Sequence, residues 1–333
     1  MDSSYYINLA ISKAWKYQFI AFPNPAVGAC VVRNGKLLSI GVHYEAGQPH
    51  AEINALKKAY TDAFPYSILT RLKSSQDIHR FLSKYHNNFF HNCSIYVTLE
   101  PCNHIGKTPS CAMLLEKIGI KGVIIGTLDP NKLASGGTKR LKKSNIYTKV
   151  LNSKNSYNLL LPFTKWTKKN FSLFKLAIRE DGTTTNGYIT SQDSLNLVHK
   201  IRTKLDLLVI GGETVRTDRP TLDSRFSNSK KNPDILIYSQ QKEFDTTIPL
   251  FNVPNRKIII SDNLNRLDHN NFIMIEGGLN LLKHLNKHFD MLMLFISHKH
   301  TVHTPFDYRS LKLKKIHSYF INKYDEIYFL IKF

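Results

Sequence analysis

Four residues of the chain have the types and spacing of a hydrolytic metal site. His50 is followed two positions later by Glu52 at the expected start of a helix, and Cys102 and Cys111 flank a loop between a strand and another helix. One imidazole and two thiolates suit zinc, and a hydrolytic zinc keeps its fourth position for water. Glu52 cannot share the ligand direction of His50, but it can reach that water and carry protons. The pattern predicts one zinc per chain and a catalytic glutamate.

The spacing of the two cysteines qualifies this interpretation. A non-ligating glutamate after a ligand histidine is typical of zinc nucleobase deaminases, whose paired cysteines are separated by two residues. Here eight residues separate Cys102 from Cys111. An alternative, in which His50 is an ordinary loop histidine and the cysteines are buried apolar residues, stays open at this point. Cys30 and Cys93 have no ligand pattern; we expect Cys30 to be a core residue and Cys93 to be an ordinary buried or edge thiol.

The elements that must position these residues alternate between helix and strand. An amphipathic helix opens the chain, and an Asn34-Gly35 turn then joins two strands into a hairpin. Helices are predicted near 51–60 and 111–118, and strands at 94–99 and 122–125. The polar segment 62–92, with a helical stretch near 77–84, is predicted to be an insertion on the surface. This alternation indicates an α/β domain.

A second α/β domain is expected after residue 168. Predicted strands lie at 174–178, 205–210, 235–238, 257–260, 272–275 and 291–296, with helices near 194–203 and 279–286 between them. The basic segment 139–175 is predicted to be largely a solvated linker. The expected domains are therefore 1–150 and 168–333.

The charge and hydropathy of the chain restrict its partners and location. It has 46 Lys and Arg against 25 Asp and Glu, a formal charge of +21. This excess favours anionic partners without distinguishing nucleic acids, membrane surfaces and phosphorylated metabolites. The longest apolar stretch, 291–296, is far shorter than the ~18 residues of a membrane-spanning helix. The first residues lack the features of a secretory signal, so we expect a cytoplasmic protein.

Five motifs in the first 150 residues carry a resemblance to a known family. They are Pro23-Asn24-Pro25-Ala26-Val27-Gly28, His50-Ala51-Glu52, Thr98-Leu99-Glu100-Pro101-Cys102, Gly106-Lys107-Thr108-Pro109-Ser110-Cys111 and Asp129-Pro130-Asn131. Outside the 62–92 insertion, this part resembles the deaminase half of the bifunctional riboflavin-biosynthesis deaminase-reductases. The resemblance implies a cytidine-deaminase-like three-layer α/β/α domain that removes the 2-amino group of a diaminopyrimidinone carrying a ribosylamino 5′-phosphate.

The same resemblance implies the roles of individual residues in this half. His50, Cys102 and Cys111 would hold zinc, and Glu52 would be the general acid and base. Weaker candidates for substrate contacts are Asn24, His43 and Lys107. The amide of Asn24 could bind the pyrimidine edge and the Lys107 ammonium could bind the phosphate, although plain turn roles for these residues stay open.

The second half resembles the reductase half of that family, whose fold is similar to dihydrofolate reductase. The motifs are Lys175-Leu176-Ala177, Asp181-Gly182, Arg202, the run from Gly211 to Arg225, and Glu276-Gly277-Gly278. The resemblance implies NADPH as cofactor, near Ala177, Tyr188, Thr214, Asp218, Ser239, Gly277 and Gly278. It places substrate near Arg202, Leu222, Arg225 and Glu276. Two guanidiniums can clamp a phosphate through forked hydrogen bonds.

Three departures from the family pattern concern the reductase half. Arg179 stands where the family usually has Ser, the stretch 186–189 is shortened, and Leu195 replaces a usual Arg. We expect Arg179 to turn inward and replace some of the lost contacts, whereas an outward-turned Arg179 would leave the site without them.

The expected protein is therefore a bifunctional zinc deaminase and NADPH reductase of riboflavin biosynthesis. Its expected partner is a small phosphorylated pyrimidine, with no nucleic acid or membrane, and it is a possible homo-oligomer. Two alternatives are a deaminase with a degenerate reductase domain and a deaminase of nucleic acids, which the net charge of +21 motivates.

Overall fold

The computed structural model describes residues 3–104, 106, 108–184, 187, 189–229, 231–264, 272–299 and 306–332. The chain forms two compact units, Met1–Thr164 and Lys165–Phe333. Within the described ranges, no helix is long and apolar enough to cross a membrane.

The first unit contains a five-stranded sheet. Its strands are β1 (Gly28–Arg33), β2 (Lys36–Val42), β3 (Cys93–Leu99), β4 (Gly122–Thr127) and β5 (Tyr147–Val150), in the order β2-β1-β3-β4-β5. The hairpin strand β1 is antiparallel to both of its neighbours, whereas β3, β4 and β5 are parallel. The helices are α1 (Ser3–Trp15), α2 (Ala51–Ala63), α3 (Ser75–Tyr85), α4 (Cys111–Lys117), α5 (Gly137–Lys143) and α6 (Lys154–Trp166).

Alternate residues of β1 contribute to two different apolar clusters, as the period of two in a strand requires. Cys30 and Val32 pack with Tyr6 of α1, whereas Ala29 and Val31 belong to the larger cluster that includes residues of α2, α3 and α4. Helices therefore cover both faces of the sheet. This confirms the predicted three-layer α/β/α domain.

The start of α2 is held close to the sheet by a glycine in β2. A Cβ on Gly41 would lie 2.2 Å from the Ala55 nitrogen, so only glycine allows this approach. The Ser39 hydroxyl also donates a hydrogen bond to the Ala55 carbonyl at 2.7 Å. These contacts fix the helix at whose start His50 and Glu52 lie.

The second unit contains an eight-stranded sheet in the order β12-β13-β11-β6-β10-β7-β8-β9. Its strands are β6 (Phe171–Arg179), β7 (Leu207–Gly211), β8 (Asp234–Tyr238), β9 (Ile258–Ser261), β10 (Phe272–Glu276), β11 (Met291–Ser297), β12 (Lys314–Phe320) and β13 (Asp325–Ile331). The helices are α7 (Gln192–Arg202), α8 (Gly212–Asp218) and α9 (Leu279–His284). The six strands from β11 to β9 are mutually parallel, and β13 and β12 add an antiparallel edge.

Two sequence predictions about the fold were wrong. The segment 139–175 is not a solvated linker, because it contains parts of α5 and β6 and the whole of β5 and α6, with Leu141 and Leu159 buried. The many lysines of this segment suggested a linker. In the structure they lie largely on the exposed faces of helices and strands. The segment 62–92 is also more than surface decoration, since Leu82 and Phe90 are fully buried in the main apolar cluster of the first unit.

Candidate functional site

Three potential metal ligands converge in the first unit from three separate elements. His50 precedes α2 in an extended conformation, Cys102 follows β3, and Cys111 begins α4. The His50 Nδ1 lies 3.6 Å from the Cys102 Sγ and 3.4 Å from the Cys111 Sγ, and the three ligand atoms lie within 4.8 Å of one another. In the part of the chain that the structure describes, His50, Cys102 and Cys111 are the one set of His, Cys, Asp or Glu side chains found close enough together to hold a metal ion.

The chemistry of this donor set fits zinc. Hydrogen bonding from the Cys111 side chain, and then from His50, lowers the pKa of the Cys102 thiol against the opposing effect of burial. The backbone N–H of Cys111 also points to the Cys102 Sγ, at 3.4 Å. A sulfur stabilised as the thiolate, a second sulfur and an imidazole nitrogen are the ligands of a catalytic zinc that keeps one position open.

Glu52 lies in the first turn of α2, beside the three ligands. Its side chain is only 4% exposed, and burial raises its pKa to about 7, with the charge of His50 acting in the opposite direction. A buried carboxyl with this pKa can both take up and release a proton near neutral pH.

The structure brings two of the three weaker substrate candidates to this site. His43 packs edge-on against His50, with ring centroids 5.4 Å apart. Its Nδ1 lies 3.2 Å from the Pro49 carbonyl, which can only accept, so the Nε2 accepts the hydrogen bond from the Asn24 amide at 3.0 Å. Lys107 lies outside the described residues. Asn24 and His43 thus form a polar pair next to the candidate ligand His50.

Two further residues at this site were not predicted as functional from the sequence. The Thr108 hydroxyl lies 3.2 Å from the His50 Nε2, where it orients the ring. The buried carboxylate of Glu100 accepts hydrogen bonds from the backbone N–H groups of Asp129, Gly136 and Thr138 at 2.9 to 3.2 Å. Both residues lie within quoted motifs, which was the available signal, but their partners are distant in sequence.

Most of the predicted cofactor residues lie at one edge of the second sheet. The strands β6, β7, β8 and β10 are parallel, so their carboxyl ends share that edge, which is where α/β proteins bind ligands. Ala177 lies near the end of β6, Thr214 and Asp218 in α8 after β7, Ser239 after β8, and Gly277-Gly278 after β10. Tyr188 lies outside the described residues.

The glycines at this edge combine one open position with positions of close packing. A Cβ on Gly278 would meet no atom within 4 Å, whereas one on Gly212 would lie 2.6 Å from the Ser239 Cβ. The turn after β10 is therefore open at Gly278 but closely packed at Gly277, where a Cβ would lie 2.5 Å from the Leu281 Cδ2. The helix α8 approaches the end of β8 closely. This geometry fits a nucleotide lying across the strand ends.

Two of the predicted substrate residues of the second unit, Arg202 and Glu276, contact each other. Arg202 and Glu276 form a buried ion pair, and burial lowers the pKa of Lys175, the partner of Glu276 in the β6–β10 register. Arg225 is more exposed and pairs with Asp223 at 3.2 Å.

Leu222 is buried beside this group and has a φ of 53°, in the left-handed region that a leucine rarely adopts. Arg256, which sequence reasoning missed, donates hydrogen bonds to the carbonyls of Leu222 and Thr221 at 2.8 and 2.9 Å. His199 was also missed, and it lies 3.5 Å from Arg202. Neither residue stands in a motif that the sequence made recognisable.

Both halves of the chain match known protein families. Residues 1–127 match the family model of the cytidine and deoxycytidylate deaminase zinc-binding region, and residues 177–297 match that of the RibD C-terminal domain. The riboflavin biosynthesis protein RibD of Aquifex aeolicus is 32% identical over 264 residues, which are 77% of this chain and 67% of that protein. The RibD of Escherichia coli is 30% identical over 250 residues, 72% of this chain and 60% of that protein.

Solved structures share the fold. The chain is similar to the diaminohydroxyphosphoribosylaminopyrimidine deaminase/5-amino-6-(5-phosphoribosylamino)uracil reductase of Thermotoga maritima, with a TM-score of 0.63 and 23% identity over 99% of each chain. It is also similar to Acinetobacter baumannii RibD, with a TM-score of 0.61 and 22% identity over 99% of this chain and 98% of that one.

The fold and the His-Cys-Cys-Glu site define a zinc-dependent deaminase joined to a reductase domain. The chain belongs to the RibD family of riboflavin-biosynthesis proteins. With both regions present, it is a bifunctional enzyme of that pathway whose cofactors are zinc and NADPH. The assignment favours the two-activity interpretation over the deaminase with a degenerate reductase domain.

Proposed function

We propose that the chain deaminates 2,5-diamino-6-ribosylamino-4(3H)-pyrimidinone 5′-phosphate and then reduces the ribosyl group to ribityl with NADPH. The observation that carries this proposal is the convergence of His50, Cys102 and Cys111 beside the buried carboxyl of Glu52. The deaminase domain is proposed to span 1–150 and the reductase domain 168–333. The protein is proposed to act in the cytoplasm, on a small phosphorylated pyrimidine and without nucleic-acid or membrane partners.

In the deaminase half, His50, Cys102 and Cys111 would hold the zinc. When bound, zinc supplies a Lewis acid that makes water nucleophilic near neutral pH. Glu52 takes a proton from the water that attacks C2 of the pyrimidinone ring. The C2–oxygen bond forms as the C2–N π bond of the ring opens, and Glu52 delivers the proton to the ring nitrogen. The bond from C2 to the 2-amino group then breaks as Glu52 carries the remaining hydroxyl proton to that group, so that ammonia leaves and a C2 carbonyl forms.

Binding of the pyrimidine is assigned to the residues around this centre. Asn24 offers an amide to the ring edge, and its hydrogen bond with His43 fixes the orientation of both side chains. Lys107, in the Gly-Lys-Thr motif, is proposed to meet the phosphate by charge attraction.

In the reductase half, the strand-end residues Ala177, Thr214, Asp218, Ser239 and Gly277-Gly278, together with Tyr188, are proposed to bind NADPH. When bound, NADPH supplies the hydride for C1′ of the ribose. Arg202, Leu222, Arg225 and Glu276 are proposed to position the substrate. Because Glu276 engages the guanidinium of Arg202, the exposed Arg225 is the better placed of the two arginines to meet a 5′-phosphate.

One experiment tests both activities. Purified full-length protein is given the diaminopyrimidinone phosphate with and without NADPH, and ammonia release and NADPH oxidation are followed. We expect ammonia in both reactions and NADPH oxidation only when substrate is present. Single-stranded RNA and DNA at the same salt concentration should give no ammonia. Ammonia from nucleic acid but not from the pyrimidine would overturn the proposal.

The metal assignment has its own test with a matched control. Cys102→Ser removes a proposed ligand and should abolish both stoichiometric zinc and deamination. Cys30→Ala changes a buried cysteine of β1 that packs in the smaller cluster with Tyr6, so zinc should be retained. Elemental analysis that finds one zinc per chain in Cys102→Ser would contradict the ligand set.

A further inference from the structure

We propose that the segment 62–92 supports the metal site through His79, a positioning residue that holds the junction between Ser110 and Cys111. The inference rests on the proposed function, because it takes His50, Cys102 and Cys111 as zinc ligands. It assigns a role to a segment that the deaminase chemistry itself does not use.

His79 reaches from α3 to the residue that precedes a ligand. Its Nε2 lies 3.2 Å from the Ser110 carbonyl oxygen, and its Nδ1 lies 3.4 Å from the Ser83 hydroxyl. A carbonyl oxygen can only accept, so the proton of the neutral ring is on Nε2 and the Ser83 hydroxyl donates to Nδ1. Ser83, one turn along the same helix, therefore fixes the tautomer that His79 needs.

Ser110 connects this contact to two ligand residues. It is fully buried, and its hydroxyl donates a hydrogen bond to the Cys102 carbonyl at 2.9 Å. The same hydroxyl accepts from the Met113 N–H at 3.2 Å, which caps the start of α4 at Cys111. A shift of Ser110 would consequently move the backbone of both cysteines.

The helix that carries His79 is firmly attached to the first unit. Ile78 and Leu82, on either side of His79 in α3, are buried in the main apolar cluster. At the start of α3, the Ser74 hydroxyl accepts a hydrogen bond from the Asp77 N–H at 3.1 Å. His79 is thus presented by a packed and capped helix, which lets one hydrogen bond define the position of the Ser110 carbonyl.

Hydrogen bonds that orient metal ligands contribute to metal retention. Loss of such an outer contact typically costs 10- to 100-fold in metal affinity. The Ser110 carbonyl also accepts from the Leu114 N–H at 3.3 Å, so it keeps one partner when His79 is replaced. We therefore expect a folded protein that loses zinc faster.

The test compares zinc release in three variants of the full-length zinc-loaded protein. His79→Leu keeps the side-chain size but removes the donor, and His79→Gln restores an amide N–H. Arg80→Ala is the control, because Arg80 is exposed on the same helix. Zinc transfer to an excess of a chromogenic chelator is timed, and the thermal midpoint is recorded for each protein.

We expect release about tenfold faster in His79→Leu, with Arg80→Ala unchanged and His79→Gln close to the unmodified protein. Equal release rates in His79→Leu and the unmodified protein would overturn the inference. Equally fast release in the Leu and Gln variants would also overturn it, because the effect would then be one of packing. An unmodified protein that binds no zinc would instead contradict the proposed function.

Discussion

The guanidinium of Arg202 makes two hydrogen bonds to the carboxylate of Glu276, at 2.9 and 3.0 Å. Its remaining nitrogen donates to the Asp223 carbonyl at 3.0 Å. Both members of the pair are buried, one at the end of α7 and the other at the end of β10. The pair joins a helix to the central part of the sheet at the edge where substrate is proposed to bind.

Arg202→Ala should destabilise the second unit. Removing one partner of a buried ion pair leaves an uncompensated charge, which typically costs about 3 to 5 kcal/mol. Lys175 lies close to Glu276 and offsets part of that charge, so the free energy of unfolding should fall by about 3 kcal/mol, near the lower limit. Urea unfolding followed by circular dichroism measures this change.

The control for Arg202→Ala is Lys242→Ala. Lys242 pairs with Asp262 on the surface, and both side chains are more than half exposed. The unfolding midpoint of Lys242→Ala should match that of the unmodified protein, because solvent screens exposed ion pairs. Equal midpoints for the Arg202 and Lys242 variants would show that the buried pair does not stabilise the unit.

The stabilising effect of the negative charge on Glu276 should depend on pH, and Glu276→Gln, which removes that charge, should reveal this dependence. Burial raises the pKa of Glu276, but the neighbouring Arg202 and Lys175 outweigh it, so the pKa lies below its ordinary value. A carboxyl whose pKa is lowered in the folded state stabilises the protein above its unfolded pKa and loses that contribution as pH falls through the folded pKa.

The measured quantity is the difference in unfolding free energy between the unmodified protein and Glu276→Gln. It should shrink as the pH falls from about 5 to about 3, on either side of the ordinary value of ~4.3. A difference that stays constant over this range would mean that the charge of Glu276 makes no contribution.

Arg256→Met should weaken binding of the reductase substrate. Arg256 holds the carbonyls of Thr221 and Leu222, and Leu222 needs that support to keep its positive φ. We expect KM for the pyrimidine substrate to rise about tenfold, equivalent to ~1.4 kcal/mol, with zinc content unchanged. Arg309→Met, in which an exposed arginine is replaced, is the control. Steady-state assays in which both variants keep the original KM would contradict the role of Arg256.

The candidate zinc ligands could be proposed from the sequence because their chemistry depends on residue types in short motifs, and the structure brings the three side chains together. His50, Glu52, Cys102 and Cys111 stand at helix starts and at a strand end, and such positions follow from local patterns. The mutual pairing of Arg202 and Glu276 could not be predicted in this way, since 74 residues separate them. A local sequence pattern does not predict which distant acidic residue will pair with a buried arginine.

The fold was predictable where apolar periodicity was strong and was missed where charge dominated. α6 has Leu159, Leu160, Phe163 and Trp166 buried at helical spacing, but the surrounding lysines suggested a linker. The C-terminal strands β12 and β13 were not predicted, and most residues of β12 are only partly buried. The contact from His79 to Ser110 depends on tertiary packing and has no sequence signal.

The measurement that tests the central claim most directly is made on Glu52→Gln. The amide cannot carry a proton, so ammonia release should fall by about 10²-fold or more, while elemental analysis still finds one zinc per chain. Reduction of the already deaminated substrate by NADPH should be unchanged, because that activity is assigned to the second unit. A loss of less than about tenfold with zinc in place would contradict the assignment, since general acid–base catalysis is typically worth ~10²- to 10⁴-fold.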